Sequence, residues 1–217
     1  MILPGTIEPS TPFAPGFDTD SILTSTRALQ FYNLGYKFCL RYLSLGEQST
    51  RDLTAEEADD ILNSGLALMP VQHVRRPGWS PSASLGGTDG QNAASNARQI
   101  GFPAGVNIWC DLEGVNRAAS QQDVIDYCES WHGSVRGAGF LPGLYVGANS
   151  TLTGDQLRNL SFQHYWKSQS NVPAIPGRDY QLIQFRPSVT ANGIVIDVDF
   201  AQSDNLGGQP EWLRLDV

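Results

Sequence analysis

The 217-residue sequence has little cysteine, little histidine and few basic residues, and it lacks a long hydrophobic run. Its three cysteines have neither CxxC spacing nor an even count, which argues against a disulfide framework. We expect buried free thiols at Cys39, Cys110 and Cys128, and a single Cys110–Cys128 disulfide stays open if their strand and helix pack together. The three histidines are scattered without the spacing of zinc ligands, so neither a resident metal nor a cofactor is predicted.

Negative charge dominates the chain, with 22 acidic residues against 14 basic ones and a formal net charge of −8 at pH 7. The pair Arg75-Arg76 is the one place where two basic residues adjoin, so nucleic acid is not expected as a partner. No apolar stretch approaches the roughly 20 residues of a membrane span. The first residues show no basic segment followed by an apolar one, so no secretory signal is predicted there.

Short apolar segments alternate with amphipathic ones from residue 13 onward, which predicts an α/β fold of the TIM-like (β/α) barrel type. Helical patterns follow the first five of eight predicted strands, which span 13–18, 37–42, 66–72, 106–112, 141–146, 163–168, 180–185 and 193–199. The segments 171–179 and 187–192 are too short for crossover helices. The last three strands are therefore antiparallel or irregularly connected, or the barrel is incomplete there.

Local signals mark where the helices begin and end. Capping boxes are predicted at Thr54-x-x-Glu57, Thr88-x-x-Gln91 and Thr153-x-x-Gln156, and Gly35 and Gly65 are expected to end the first two helices. A single barrel domain is predicted over 1–217, with an N-terminal arm at 1–12 and a tail at 203–217 that wraps the surface.

Acidic residues stand at the ends of three predicted strands. Asp18 ends the first strand, Asp111 and Glu113 end the fourth, and Asp197 and Asp199 end the last. Strand residues two apart project from the same face, and strand ends in a barrel ring one mouth, so these acids are expected to converge. Each alone is also suited to capping a helix. Acids held close together raise one another's pKa, which favours a general acid that stays protonated near neutral pH.

Several motifs together resemble a known family. They are Gly-Phe-Asp at 16–18, Arg-Tyr-Leu at 41–43, Trp-Cys-Asp-Leu-Glu at 109–113, Gly-Leu-Tyr-Val-Gly at 143–147 and Val-Asp-Phe at 198–200. In these motifs the chain resembles the glycoside-hydrolase-like barrels described as domain of unknown function 1906, which are related to the family 25 glycoside hydrolases (lysozymes). The resemblance covers residues 16 to about 202. It implies five βα units followed by three strands with little helix.

The resemblance also implies roles for the acids. Glu113 corresponds to the general acid of the family 25 Asp-x-Glu motif, and Asp111 corresponds to its partner carboxylate. Asp18 and Asp199 correspond to the catalytic aspartates of the first and last strands. Asp197 has no firm counterpart, and a register shift of two residues would exchange its role with that of Asp199.

Sugar rings bind flat apolar surfaces beside polar groups. Trp79, Tyr145 and Trp166 are predicted to border such a groove, although core packing is an equal alternative for the last two. Gln184 lies on the inward side of the seventh strand, where it either bonds substrate or supports the structure. The complete set predicted to bind substrate is Asp197, Tyr145, Gln184, Trp166, Trp79 and Arg41.

The predicted function is hydrolysis of a cell-wall amino-sugar polymer such as peptidoglycan by a lysozyme-like glycosidase. One alternative is a glycan-binding barrel without catalysis. Another is a metal-assisted hydrolase in which Asp18, Asp111, Asp197 and Asp199 hold Mg²⁺ or Ca²⁺. A monomer is expected, with a polysaccharide as its partner. The sequence leaves the location of the protein open, and secretion or delivery to the cell wall suits the predicted substrate.

Overall fold

The computed structural model describes residues 2–215. Ten strands and five helices follow one another along this part of the chain. In order they are β1 (Thr6–Pro9), β2 (Pro15–Thr19), α1 (Ser25–Asn33), β3 (Phe38–Leu43), α2 (Ala55–Asn63), β4 (Ala67–Gln72), α3 (Ala83–Ile100), β5 (Asn107–Leu112), α4 (Gln121–Gly137), β6 (Leu141–Val146), α5 (Gly154–Asn159), β7 (His164–Lys167), β8 (Leu182–Ala191), β9 (Ile194–Ala201) and β10 (Glu211–Arg214). None of these helices is long and apolar enough to cross a membrane.

Strands β2 to β9 form a closed eight-stranded barrel, because β4 also pairs with β5 and joins the two ends of the sheet. Neighbouring strands from β2 to β8 run parallel, whereas β9 is antiparallel to both β8 and β2. The predicted TIM-like α/β barrel is confirmed. For the last three strands the sequence left antiparallel, irregular and incomplete arrangements open. The structure shows an antiparallel strand, β9, that closes the barrel.

The helices follow β2 to β6, and in the described chain none lies between β7 and β9. The strands β8 and β9 form a long hairpin through Asn192 and Gly193, whose φ angles are 48° and 77°. Two successive residues with positive φ are typical of the type I′ turn that Asn-Gly favours. The sequence analysis placed Asn192 at the end of the connection 187–192 and Gly193 at the start of the eighth strand, so this hairpin signal was not used.

Most helix boundaries follow the local signals. Thr54 and Thr153 cap α2 and α5, and Gly35 and Gly65 adopt positive φ just beyond α1 and α2. The predicted capping box is complete at Thr153, whereas the Glu57 carboxylate turns away from Thr54 to Leu23 and Arg41. The prediction at Thr88 is wrong, because α3 begins at Ala83 after Ser82, whose side chain accepts a hydrogen bond from the Leu85 amide. The glycines of α3 look like loop residues in the sequence. In the fold they permit close packing, since a Cβ on Gly86 would lie 2.1 Å from the Tyr127 carbonyl oxygen of α4.

Alternate residues of each strand face two separate apolar layers. The layer inside the barrel includes Phe38, Leu40, Met69, Trp109, Trp166 and Leu182. The layer between strands and helices contains all three cysteines, which are buried and free, so the open Cys110–Cys128 disulfide is not formed. This parity decides which polar side chains reach the mouth at the carboxyl ends of the parallel strands.

The C-terminal tail was predicted to wrap the surface, but the structure places part of it in the sheet. Strand β10 pairs with β1 on one side and with β4 on the other, and Trp212 and Leu213 are buried. The Trp212 ring lies 5.4 Å from the ring of Phe38, a residue of the inner layer. The strand is only four residues long, so its sequence pattern is weak. The free energy gained by burying the large Trp212 side chain exceeds the cost of placing the polar residues Glu211 and Arg214 beside it. Asp216 and Val217, the end of the predicted tail, lie outside the described residues.

Candidate active site

The reversed direction of β9 sets the depth of the acids on that strand. In the β2–β9 register Asp18 lies opposite Asp197, and Gly16 lies opposite Asp199. Since β2 runs towards the mouth, Asp197 stands near the rim and Asp199 stands deeper. On β5, which also runs towards the mouth, Asp111 is the deeper acid and Glu113 follows just beyond the strand. The predicted convergence of these five acids thus occurs at two depths.

Asp18 and Asp199 form the buried part of the cluster. Asp199 is fully buried, and its Oδ1 accepts a hydrogen bond of 2.9 Å from Nε1 of Trp166. Burial, followed by the neighbouring Asp18, raises the pKa of Asp199 well above its usual value. Burial and then the charge of Asp197 raise the pKa of Asp18 to about 7, although hydrogen bonds to its carboxylate oppose this rise. Buried carboxyl groups in such proximity share protons rather than ionise together.

Asp111 and Glu113 form the second part. Asp111 is buried, and its Oδ1 has no hydrogen-bond partner within residues 2–215. Burial, then Glu113, then Asp18 raise the pKa of Asp111 well above its usual value. Glu113 is half-buried, and burial followed by the charge of Asp197 raises its pKa. The outer acid of β5 therefore faces the outer acid of β9 across the mouth.

Gln184 of β8 connects these acids. Its Nε2 donates hydrogen bonds to Oδ2 of Asp18 at 3.0 Å and to Oδ2 of Asp197 at 2.9 Å. Its Oε1 accepts a hydrogen bond of 3.2 Å from the Tyr145 hydroxyl. Asp197 also accepts a hydrogen bond from the backbone N–H of Ser188 through its other oxygen. Donors on both oxygens of Asp197 suit a carboxylate anion. Gln184 thus orients Asp18 and Asp197, and Tyr145 orients Gln184, while their predicted contact with substrate stays a prediction.

The mouth contains two adjoining cavities separated by Tyr42 and Asp197, which line both of them. The larger, of about 330 Å³, is also lined by Asp111, Glu113, Tyr145, Gln169, Ser170, Gln184 and Pro187. The smaller, of about 250 Å³, is also lined by Asp18, Thr19, Asp20, His73, Val74, Val195 and Ile196. Since neither lining includes Lys or Arg, the groove that they form together presents carboxyl groups without a basic counter-charge.

Trp79 and Trp166, both predicted to bind substrate, contact the acids from behind instead of lining the groove. Trp166 is buried inside the barrel and donates its hydrogen bond to Asp199. Trp79 donates from Nε1 to the backbone carbonyl of Glu113 at 2.8 Å, and its ring packs 4.8 Å from that of Tyr127. These two tryptophans therefore hold catalytic-acid candidates in position.

Arg41 was also predicted to bind substrate, but it points away from the mouth. Its guanidinium is fully buried against Glu57 of α2, with Nε 2.6 Å from Oε1, and it also donates to the Thr19 carbonyl. Tyr42, the next residue, faces the mouth, and its hydroxyl donates to Asp18 Oδ1 at 3.3 Å. Strand parity contained this signal, because Phe38 and Leu40 are inward residues and Tyr42 continues their alternation.

Metal ligation has little support in the described chain. Within residues 2–215 no group of three or more His, Cys, Asp or Glu side chains is arranged to hold a metal ion. The metal-assisted alternative therefore has no ligand cluster on which to build, and the chemistry of the site is that of carboxyl groups in a partly buried groove.

Residues 29–203 match the family described as Rv2525c-like, glycoside hydrolase-like domain. The chain belongs to this family. In sequence, 108 residues are 33% identical to the uncharacterized protein YbfG of Bacillus subtilis, covering 46% of this chain and only 14% of that protein.

Solved structures share the fold at low identity. The Tat-secreted protein Rv2525c of Mycobacterium tuberculosis has a TM-score of 0.65 at 16% identity, over 90% of this chain and 98% of that one. The bacterial lysozyme of Streptomyces coelicolor has a TM-score of 0.57 at 12% identity, over 89% and 94%. Further fold neighbours are muramidases, endolysins and an autolysin solved with a synthetic peptidoglycan ligand.

Proposed function

We propose that this protein is a glycoside hydrolase that cleaves an amino-sugar polymer of the cell wall, with peptidoglycan as the leading substrate. The observation that carries the proposal is the placement of Glu113. Its carboxyl group lines the larger cavity, its pKa is raised by burial and by Asp197, and Asp197 lines the same cavity. A protonated acid beside a second carboxylate is the arrangement that glycoside hydrolysis requires.

In the proposed reaction the Glu113 carboxyl gives its proton to the glycosidic oxygen as the bond from that oxygen to the anomeric carbon breaks. The positive charge that develops on the sugar ring is stabilised by the carboxylate of Asp197, and Asp111 lines the same cavity below Glu113. Water then supplies the hydroxyl group of the new reducing end, and its remaining proton returns to the carboxyl groups of the site. The reaction thus adds one water across one glycosidic bond.

The fold neighbours support the substrate class. The family is glycoside hydrolase-like, and its fold neighbours include a lysozyme and an autolysin solved with a peptidoglycan ligand. Rv2525c is Tat-secreted, so we also propose that this protein acts outside the cytoplasm, at the cell wall.

The test measures release of reducing ends from purified peptidoglycan and from chitooligosaccharides. We expect Glu113→Gln to lower the rate about 10²–10⁴-fold, the range typical of a lost general acid. Glu56→Gln is the matched control, because Glu56 is an exposed glutamate in the first turn of α2 and lines neither cavity.

Equal rates for the wild type and Glu113→Gln would contradict the general-acid role. Saturable binding of the glycan without any turnover by the wild type would favour the alternative, a glycan-binding barrel that retains the groove but not the catalysis.

A further inference from the structure

The smaller cavity of the mouth has no part in the proton transfer proposed above. Neither Asp111 nor Glu113 lines it, and it lies over the ends of β2, β3 and β4, on the far side of Tyr42 and Asp197 from Glu113. Its volume of about 250 Å³ is just below the roughly 300–1,000 Å³ of pockets that hold drug-sized ligands. It therefore suits one sugar ring rather than a longer piece of a chain.

One wall of this cavity is a flat ring. The side chain of His73 is 41% exposed, and its ring centre lies 5.2 Å from that of Tyr42. The backbone N–H of His73 donates to the Leu43 carbonyl at 3.0 Å, and its Nδ1 lies 3.3 Å from the Val74 carbonyl oxygen. The ring is thus held beside a second aromatic residue, as in surfaces that stack on sugar rings.

The remaining walls offer both apolar and polar contacts. Val195 of the β8–β9 hairpin is 49% exposed, and its carbonyl accepts a hydrogen bond of 2.7 Å from the Thr19 hydroxyl, which fixes the hairpin against β2. Asp20 is exposed and lines the same cavity, where its carboxylate can accept hydrogen bonds from sugar hydroxyls. Without Lys or Arg in the lining, a carboxylate on the sugar would meet only like charge.

We infer that the cavity beside His73 binds a second, neutral hexosamine ring of the same glycan, next to the ring that occupies the Glu113 cavity. This inference rests on the proposed function. The shared wall of Tyr42 and Asp197 lets one chain pass from one cavity into the other, so the groove holds two linked rings rather than a single sugar. His73 provides the stacking surface, and Asp20 provides the polar contact.

Calorimetric titration of chitooligosaccharides of one to four rings tests the inference. The titrations use the Glu113→Gln protein, in which turnover is suppressed. We expect an affinity gain of up to about tenfold, or about 1.4 kcal/mol, when the added ring reaches the His73 cavity, which is within the range of an aromatic contact. In the same background, His73→Ala should remove this gain and leave the binding of a single ring unchanged.

Two further variants keep the result interpretable. His73→Phe preserves a flat ring and should retain most of the gain, even if the alanine variant folds poorly. Arg76→Ala changes an exposed residue of the same loop that lines neither cavity, and it should bind as the parent does. The inference would be overturned if His73→Ala kept the affinity gain, or if His73→Phe lost it as completely as His73→Ala does. The proposed function would stand in either case. Absence of binding at every chain length would instead count against the proposed function.

Discussion

The ends of β5 and β9 carry the same spacing of acids but place them in opposite order. On β5 the second acid, Glu113, lies nearer the rim, whereas on β9 the first acid, Asp197, does so. The other member of each pair, Asp111 or Asp199, is buried. The difference follows from direction, because β5 runs towards the mouth and β9 runs away from it. An acid-x-acid motif therefore identifies the member that lies nearer the rim only once the strand direction is known.

The two outer acids also differ in their surroundings. Asp197 accepts hydrogen bonds from Gln184 and from the Ser188 backbone, which suits an anion. Glu113 has a raised pKa, to which Asp197 itself contributes. One outer acid is thus prepared to hold a proton and the other to hold a charge, so the β5 end is suited to proton donation and the β9 end to charge stabilisation.

Exchanging the two acids of β9 for amides tests this difference most directly. We expect Asp197→Asn to lower kcat/KM for peptidoglycan about 10²–10³-fold, because a charge aimed at the developing positive centre is lost. Asp199→Asn should cost less than about tenfold, because an amide keeps the acceptor for Trp166 and burial already disfavours the charged form of Asp199. Steady-state rates for both variants decide the order, and a larger loss for Asp199→Asn would reverse our assignment of the outer acid.

The β5 end can be disturbed through Gly147, which follows β6. A Cβ at this position would lie 2.4 Å from Cβ and 2.7 Å from Oε2 of Glu113, and 2.9 Å from Cε1 of Tyr145, so Gly147→Ala must displace the acid and crowd the Tyr145 ring beside it. We expect a loss of turnover of about 10²-fold, because a misplacement of about 1 Å costs that much. Reducing-end assays, with circular dichroism to confirm folding, provide the measurement.

Gly133→Ala is the matched control, because a Cβ on this exposed residue of α4 would contact nothing within 4 Å. It should leave turnover unchanged and raise the free energy of unfolding by about 0.5–1 kcal/mol. Equal activity of Gly147→Ala and the wild type would show that Glu113 need not occupy its observed position.

The same comparison shows what the sequence could and could not predict about the fold. Alternating apolar patterns predicted the barrel strands, and capping residues such as Thr54 and Thr153 marked helix starts, because both signals are local. The closing hairpin depended on a two-residue turn at Asn192-Gly193, and the prediction divided this pair between a connection and a strand. The start of α3 was missed because Gly86 serves a distant contact, the close approach of α4.

For the site, the sequence predicted which acids meet but not their depth. Convergence follows from strand ends, whereas depth follows from the direction of β9. Arg41 was predicted to bind substrate, yet parity directs it to Glu57 on the helix side and directs Tyr42 into the mouth. Trp79 was expected to contact sugar, but its bond to the Glu113 backbone depends on how the loop folds back over β5, which no local pattern encodes.

The last prediction concerns stability, and it separates buried acids from outer ones. The pKa of Asp18 rises from 3.8 to about 7 on folding, so between about pH 4 and pH 7 the folded protein holds a proton that the unfolded chain releases. This stabilisation is complete below pH 4 and is lost as the pH rises towards 7, at up to about 1.4 kcal/mol per pH unit for one proton.

Urea unfolding at pH 4.5, 5.5 and 6.5 should show this decline, and Asp18→Asn should make it shallower. Asp59→Asn, a change at an exposed residue of α2, should leave the slope as in the wild type. If Asp18→Asn and the wild type showed the same slope, Asp18 would not hold the extra proton, and the division between buried protonated acids and an outer anion would need revision.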